Sequence, residues 1–461
     1  MIDTIEEINA DTRVDGALFQ GDMLLTREQA EDIVEDVMLN EVKRKKRQAY
    51  RDSRYPQTLW SNGVSFSFHS NATQGARRVF RKAVKIWEDN TCINFREDDH
   101  ATDKIVVFNG PGCFSHVGRV GGPQGLSLGP KCDMVGIAVH EAGHALGFFH
   151  TQSRHDRDDF ITLIPQNFRS GWLSQFVKQS VHTNHNYNLT YDYGSIMHYG
   201  PLSVSGNGQP VMVPRDMDYM QTLGSRTQLS FYEKLMMNLH YKCLDKCASG
   251  ASAKCKNGGF PHPRDCSKCI CPSGYGGNLC DERPRGCGKI LTATTSYQTL
   301  EDRVGEEGAR YPSDELMMCN YWIQGPPGSK IEVILDRYQT GVSSEGCNFA
   351  GVEIKTGSDK RRTGYRFCSP LNTGTTLVST HNIVPIITFS RVFPVESALR
   401  YRIGMLKQTP LISEVILQPL FTTRSVAVSN DGLFDNETDE TSIQSAEKST
   451  PQPAASSRPG C

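Results

Sequence analysis

The sequence has 461 residues, with 50 Lys plus Arg against 51 Asp plus Glu. At roughly 100–200 residues per domain, that leaves room for several units, at least one with a core large enough to carry an enzyme cleft. A formal net charge of −1 excludes a bulk electrostatic hold on nucleic acid or an anionic membrane, so partners have to be found by local sites.

Fifteen cysteines, most of them between Cys243 and Cys287 at short irregular spacings, fit a disulfide framework better than buried cytosolic thiols and point to an oxidising, extracellular compartment. N-glycosylation sequons at Asn71, Asn188 and Asn436 agree with a secreted chain, although each is only a three-residue pattern. The chain opens Met1-Ile2-Asp3-Thr4, with neither a basic start nor an apolar run of signal-peptide length, so a preceding segment is expected to be missing. No run of about 18 apolar residues suggests a membrane span.

In chain order, residues 1–42 are acidic and carry apolar residues at helical spacing around Ile33, Val34, Val37 and Met38. They lead into Lys43-Arg44-Lys45-Lys46-Arg47, which reads as a processing site cut between Arg47 and Gln48; a solvated charge run or a nuclear signal is the alternative, and the cysteines disfavour the nucleus. Residues 48–245 read as a globular unit with a strand over 64–68, an amphipathic helix over 74–89 and a buried strand over 104–108. Residues 246–281 hold six cysteines in a span too short for a large core without staples, and residues 287–406 read as many short strands. Residues 407–461, rich in Ser, Thr and Pro, are an expected disordered tail.

The chemistry concentrates in His140-Glu141-Ala142-Gly143-His144-Ala145-Leu146-Gly147-Phe148-Phe149-His150, which matches the H-E-x-x-H-x-x-G-x-x-H pattern of metzincin peptidases. On a helix, His140 and His144 stand one turn apart on one face, where both imidazoles reach a single Zn²⁺. A third histidine meets the same ion only if the chain turns back, and Gly147 is the residue able to take a left-handed conformation there, which brings in His150. Glu141, beside the first ligand without being one, is placed to act as general base and then as proton donor to the leaving amine. Ser195-Ile196-Met197-His198-Tyr199 resembles the Met-turn of the same enzymes, with Met197 beneath the metal and Tyr199 close enough to reach it.

From Trp60 to Cys243 the chain is similar to the astacin family of zinc endopeptidases. Besides the zinc motif, the likeness rests on the Gly112-Cys113-Phe114-Ser115-His116-Val117-Gly118 stretch, on Gly121-Gly122-Pro123-Gln124, and on Ser153-Arg154 with Arg157-Asp158. The resemblance implies an α+β two-lobed metzincin catalytic domain over 48–245, with one zinc held by His140, His144 and His150. It implies that Tyr199 is a displaceable further ligand that steadies the oxyanion. It also implies the pairs Cys92 with Cys243 and Cys113 with Cys132. Phe19-Gln20-Gly21-Asp22 resembles the family's pro-segment motif, so that 1–47 would be a pro-segment, Asp22 would bind zinc in the latent form and cleavage after Arg47 would release it. One departure is Thr151: family members commonly carry glutamate after the third histidine to meet the mature amino terminus, so that docking is in doubt here.

Downstream, Cys247, Cys255, Cys266, Cys269, Cys271 and Cys280, with Asn257-Gly258-Gly259, resemble a small disulfide-rich EGF-like module over 246–281. That pattern implies the pairs 247 with 266, 255 with 269 and 271 with 280, a zinc knuckle being the alternative. From Cys287 to about residue 406 the chain resembles an all-β CUB sandwich, implying Cys287 with Cys319 and Cys347 with Cys368. Ala350 stands where many such domains carry a calcium-binding aspartate, so no calcium site is expected. Cys461 is left over, which suggests that a further module follows; relatives with this layout often continue into a thrombospondin type 1 module. The reading is a secreted zinc metalloendopeptidase zymogen acting on extracellular matrix, cuticle or eggshell proteins, with the two small modules as docking surfaces and no nucleic-acid or membrane partner. An inactive adhesion scaffold is the rival, and the intact Glu141 argues against it.

Overall fold

The computed structural model describes residues 4–39, 49–50, 54–179, 184–248, 250, 252–309, 311–339 and 342–404. The basic run 43–47, the proposed cut at Arg47 and Gln48, and the expected tail with Asn436 and Cys461 lie outside those residues. The chain divides into Met1–Leu406 and Lys407–Cys461, and everything below concerns the first unit. Among the described residues no helix is long and apolar enough to cross a membrane.

The chain enters through α1 (Ile5–Asp11), started by a reciprocal cap in which Thr4 and Glu7 each accept the other's backbone N–H. Then come β1 (Met23–Leu24), α2 (Arg27–Leu39), β2 (Ala49–Tyr50), β3 (Val64–Phe68), α3 (Gln74–Asn90), β4 (Phe95–Glu97), β5 (Lys104–Phe108), β6 (Cys113–His116), β7 (Pro123–Leu128) and α4 (Val135–Ala145). The strands expected over 64–68 and 104–108 form with those bounds, and the expected helix runs on to Asn90. That helix follows from its pattern: Thr73 caps it by accepting the Ala76 N–H at 3.0 Å, and Ala76, Val79, Phe80, Ala83, Val84 and Trp87 bury one face. In α2 the expected apolar face is only half right, because Ile33 is buried against Met23, Val117 and Phe149 while Val34 is 53% exposed. Successive residues of a helix point about 100° apart, so both could not face one seam; the Val37 and Met38 side chains lie outside the described ones.

The strands form one sheet in the order β1-β6-β7-β5-β3-β4, parallel except for β6 against β7. The segment before the basic run supplies the edge strand, with Met23 opposite Ser115 and Leu24 opposite His116. Helices α3 and α4 share the main apolar core with this sheet. A second lobe contains β8 (Ile161–Leu163), β9 (Asn184–His185) and β10 (Met212–Pro214), while α5 (Phe231–His240), started by a Ser230/Glu233 reciprocal cap, packs Phe231, Leu235, Met236 and Met237 into the main core. Little of that lobe is regular, and buried aromatics such as Trp172, Phe176, Tyr191, Tyr199 and Tyr219 supply its core. The site described below draws on α4 from the sheet side and on Tyr199 from the second lobe.

Next comes a hairpin of β11 (Phe260–His262) and β12 (Asp265–Ile270), held by Cys247–Cys266, Cys255–Cys269 and Cys271–Cys280. Arg264 at its turn donates to the carbonyls of Glu88, Thr91 and Ile93, tying it to the end of α3. The remainder is a two-sheet sandwich of β13 (Ile290–Thr292), β14 (Gln298–Val304), β15 (Met317–Gln324), β16 (Ile331–Gln339), β17 (Ala350–Ile354), β18 (Tyr365–Phe367), β19 (Thr376–Val378), β20 (Ile383–Ser390) and β21 (Val395–Ile403). One sheet runs β13-β15-β20-β17-β18 and the other β14-β21-β16-β19, with an apolar core drawn from both. Disulfides join Cys287 to Cys319 and Cys347 to Cys368 here, and Cys92 to Cys243 and Cys113 to Cys132 in the first domain.

Candidate active site

Helix α4 is buried along its whole length, which is why its sequence is apolar on every side except at His140, Glu141 and His144. It stops at Leu146, and Gly147 turns the chain with a φ of +111°. His150 thereby returns to the histidine face of the helix. The Nε2 atoms of His140 and His144 stand 3.1 Å apart, and Asp22 Oδ2 lies 3.1 Å from Nε2 of both His140 and His150. Asp22 Oδ1 is 3.5 Å from His144 Nε2. All four side chains are fully buried, and one ligand atom from each falls within 4.8 Å of the others.

The outer ring nitrogens decide what those inner atoms can do. His140 Nδ1 meets the Ile196 carbonyl at 2.7 Å, His144 Nδ1 the Phe148 carbonyl at 2.7 Å, and His150 Nδ1 the Gln20 side-chain oxygen at 3.0 Å. Each partner is an acceptor, so each Nδ1 carries the proton and each Nε2 presents a lone pair to the same small space. Lone pairs facing one another at 3.1 Å beside a carboxylate fit a cation between them. Burial lowers His140 well below the usual histidine range and lowers His150 to about 4, keeping both neutral as metal ligands must be. The donor set of three imidazoles and one carboxylate suits Zn²⁺.

Glu141 is fully buried next to this cluster, and neither of its carboxylate oxygens has a hydrogen-bond partner. Burial, reinforced by the charge of Asp22, pushes it well above the usual carboxylate range. Tyr199 has its ring 4.6 Å from that of His150 and donates its hydroxyl to the Gln20 backbone carbonyl. Met197 packs under the helix between the two ligands: a Cβ on Gly143 would come within 2.9 Å of its sulfur.

The amino-terminal segment is built into the cleft by residues that no sequence pattern singled out. Asn9 donates to the carbonyls of Gly21 at 2.8 Å and Cys113 at 2.6 Å and accepts the Cys113 N–H, stitching the segment to β6. Gly21 has a φ of +80°, and a Cβ there would lie 2.8 Å from the Trp172 ring and 3.1 Å from the Tyr199 hydroxyl oxygen, so only glycine lets the chain pass before Asp22. Glu6 is buried with its carboxylate 3.8 Å from the guanidinium of Arg226. Arg226 is also close enough to oppose protonation of His140, yet it lies in a loop with no motif around it. The only readable sign was the Gln20-Gly21-Asp22 string itself.

Thr151, where a glutamate was the family expectation, donates to the Ser195 hydroxyl at 2.8 Å, which donates in turn to Glu233 of α5 at 2.5 Å. A carboxylate thus reaches this buried spot from another element. Asn71 and Asn188 are both exposed.

Residues 52–242 match the family model for astacin, a peptidase family. Over 403 residues the chain is 46% identical to zinc metalloproteinase nas-31 of Caenorhabditis elegans, covering 87% of this chain and 66% of that protein. It is 33% identical to nas-23 and 35% identical to nas-25 of the same worm, covering 74% and 91% of those proteins and 87% and 78% of this chain. It spans 60% of the length of nas-32 from the same worm, to which it is 36% identical. Among solved structures, the hatching enzyme HCE-1 of Oryzias latipes (medaka) is similar at 31% identity and a TM-score of 0.37, over 42% of this chain and 94% of that one.

Proposed function

Because the chain belongs to the astacin family of zinc metallopeptidases, we propose that it is a secreted endopeptidase zymogen that hydrolyses peptide bonds in extracellular proteins. The observation that carries this reading is the buried convergence of three histidine Nε2 atoms on one carboxylate from the amino-terminal segment, with the unpartnered Glu141 beside them. Bound zinc would supply Lewis acidity to the attacking water and to the scissile carbonyl. Glu141 takes a proton from the attacking water and returns it to the leaving amine. Tyr199 stays a phenol, since burial raises it well above its ordinary value, and its hydroxyl donates to the oxyanion once Gln20 is gone.

Residues 1–47 act as the latch: Asp22 takes the fourth ligand position, Gln20 occupies Tyr199, and both leave after cleavage between Arg47 and Gln48. Arg226, freed of Glu6, offers a cation to acidic substrate side chains. Residues 246–281 and 287–406 fit EGF-like and CUB modules by their disulfides and by a two-sheet sandwich core, and Asn71 and Asn188 are glycan acceptors. Matrix, cuticle or eggshell proteins are the proposed substrate class. The test is casein or gelatin cleavage by secreted protein before and after trypsin-like processing, with a zinc chelator and Glu141→Ala as controls. Cleavage confined to the processed, zinc-loaded wild type supports the reading; processed, zinc-loaded protein that cleaves nothing refutes it in favour of a scaffold.

A further inference from the structure

The sandwich does more than follow the first domain, because its loop 344–348 packs against residues 200–202 and 224–226. A Cβ on Gly200 would lie 1.9 Å from Glu345 Oε2, one on Gly224 would lie 2.7 Å from the Gly200 Cα, and one on Gly346 would lie 2.3 Å from the Ser225 nitrogen. Three backbones therefore meet at a distance that only glycine permits. Within this contact Glu345 accepts the Leu202 N–H at 2.5 Å. Asn348 accepts the Arg226 N–H and donates to the Gly224 carbonyl at 3.1 Å.

Both held segments bear on the site. Gly200 directly follows Tyr199, and the Arg226 side chain donates to the His198 carbonyl at 2.8 Å. The loop is itself fixed, since Cys347 is bonded to Cys368, while nearby Arg366 pairs with Glu353 at 3.0 Å and donates to Thr227 at 2.8 Å. A linked domain that served only as an outer docking surface would not need its side chains to satisfy backbone groups beside the catalytic turn.

We propose that Glu345 and Asn348 of the carboxy-terminal sandwich are positioning residues of the substrate cleft, holding the turn after Tyr199 and the backbone of Arg226 where the oxyanion and an acidic substrate side chain are met. This rests on the peptidase reading above. Small displacements of such groups cost rate steeply, because an oriented donor acts only within a few tenths of an ångström of its target.

The test uses the full processed chain with Glu345→Ala, Glu345→Gln and Asn348→Ala, each checked for zinc content. Two peptides differing only by Glu or Gln after the scissile bond report kcat and KM, and hydrogen exchange reports the amides of Leu202 and Arg226. Glu345→Ala should lower kcat about 10-fold with KM little changed, and Glu345→Gln, which keeps the acceptor, should restore it. Asn348→Ala should raise KM about 10-fold for the Glu peptide and little for the Gln peptide. Exchange should quicken at Leu202 in Glu345→Ala and at Arg226 in Asn348→Ala. Wild-type constants in both alanine variants overturn the proposal, as does an equal loss in Glu345→Gln. If the processed wild type cleaves neither peptide, the peptidase reading fails by itself; the exchange data then still decide whether the sandwich holds these segments, and unchanged exchange overturns that too.

Discussion

The hydroxyl of Tyr199 donates to the backbone carbonyl of Gln20, so the phenol proposed to steady the oxyanion is engaged by the segment that also carries Asp22. Under the proposed latch, one segment withdraws two groups at once. In the processed chain Tyr199→Phe should lower kcat by about 10²–10³ with KM little changed, the usual cost of one oxyanion donor. Steady-state kinetics on a fluorogenic peptide would show it, and an unchanged kcat would remove Tyr199 from the mechanism.

Asp22 is the only carboxylate among the described residues that joins the histidine cluster. Replacing it with Ala should let the uncleaved chain hydrolyse peptide at least about 10-fold faster than the uncleaved wild type, because the latch then has no differential hold on the metal site. A variant with residues 43–47 made uncleavable isolates this effect from processing. Silence of Asp22→Ala in that background would place latency elsewhere, with Gln20 and Glu6 next in line.

Glu141→Gln should retain zinc stoichiometry, since the residue is no ligand, and lose about 10²–10⁴ of the rate. Removing zinc with a chelator should abolish activity in the wild type and return it on re-addition of the metal. Loss of zinc in Glu141→Gln would mean that the carboxylate supports the metal rather than the proton transfer.

Burial pushes Glu345 from its ordinary 4.5 up to about 8; the Leu202 N–H and Arg226 oppose this and Glu6 and Glu7 add to it. The folded chain thus holds a proton that the unfolded chain releases in the normal carboxylate range. Its stabilising share is complete below about 4.5 and is lost as pH rises through about 8. Urea midpoints of the unprocessed chain should fall over that window, and Glu345→Gln should flatten this part of the slope. A profile identical to wild type would show that the carboxyl titrates normally.

How far the sequence could be read depended on how local each cause was. His140, His144 and His150 were legible because helical spacing and a single turning glycine bring them together, and β5 because four of its five residues, Ile105 to Phe108, are a continuous apolar run. Asp22 and the disulfide partners came through likeness to relatives, not through spacing. Glu6, Asn9, Arg226 and Glu345 stayed hidden since each acquires its partner only when distant segments fold onto one another, as in the 3.8 Å approach of Glu6 to Arg226. Val34 was misassigned for the opposite reason: its neighbour Ile33 already fills the seam beside Met23 and Phe149.

Strand β1 covers β6, and the Ser115 N–H donates to the Asp22 carbonyl at 3.0 Å. Removal of residues 1–47 would strip that cover and expose the backbone of β6 at Ser115 and His116 to solvent. Processing would thus convert a closed margin into an adhesive one.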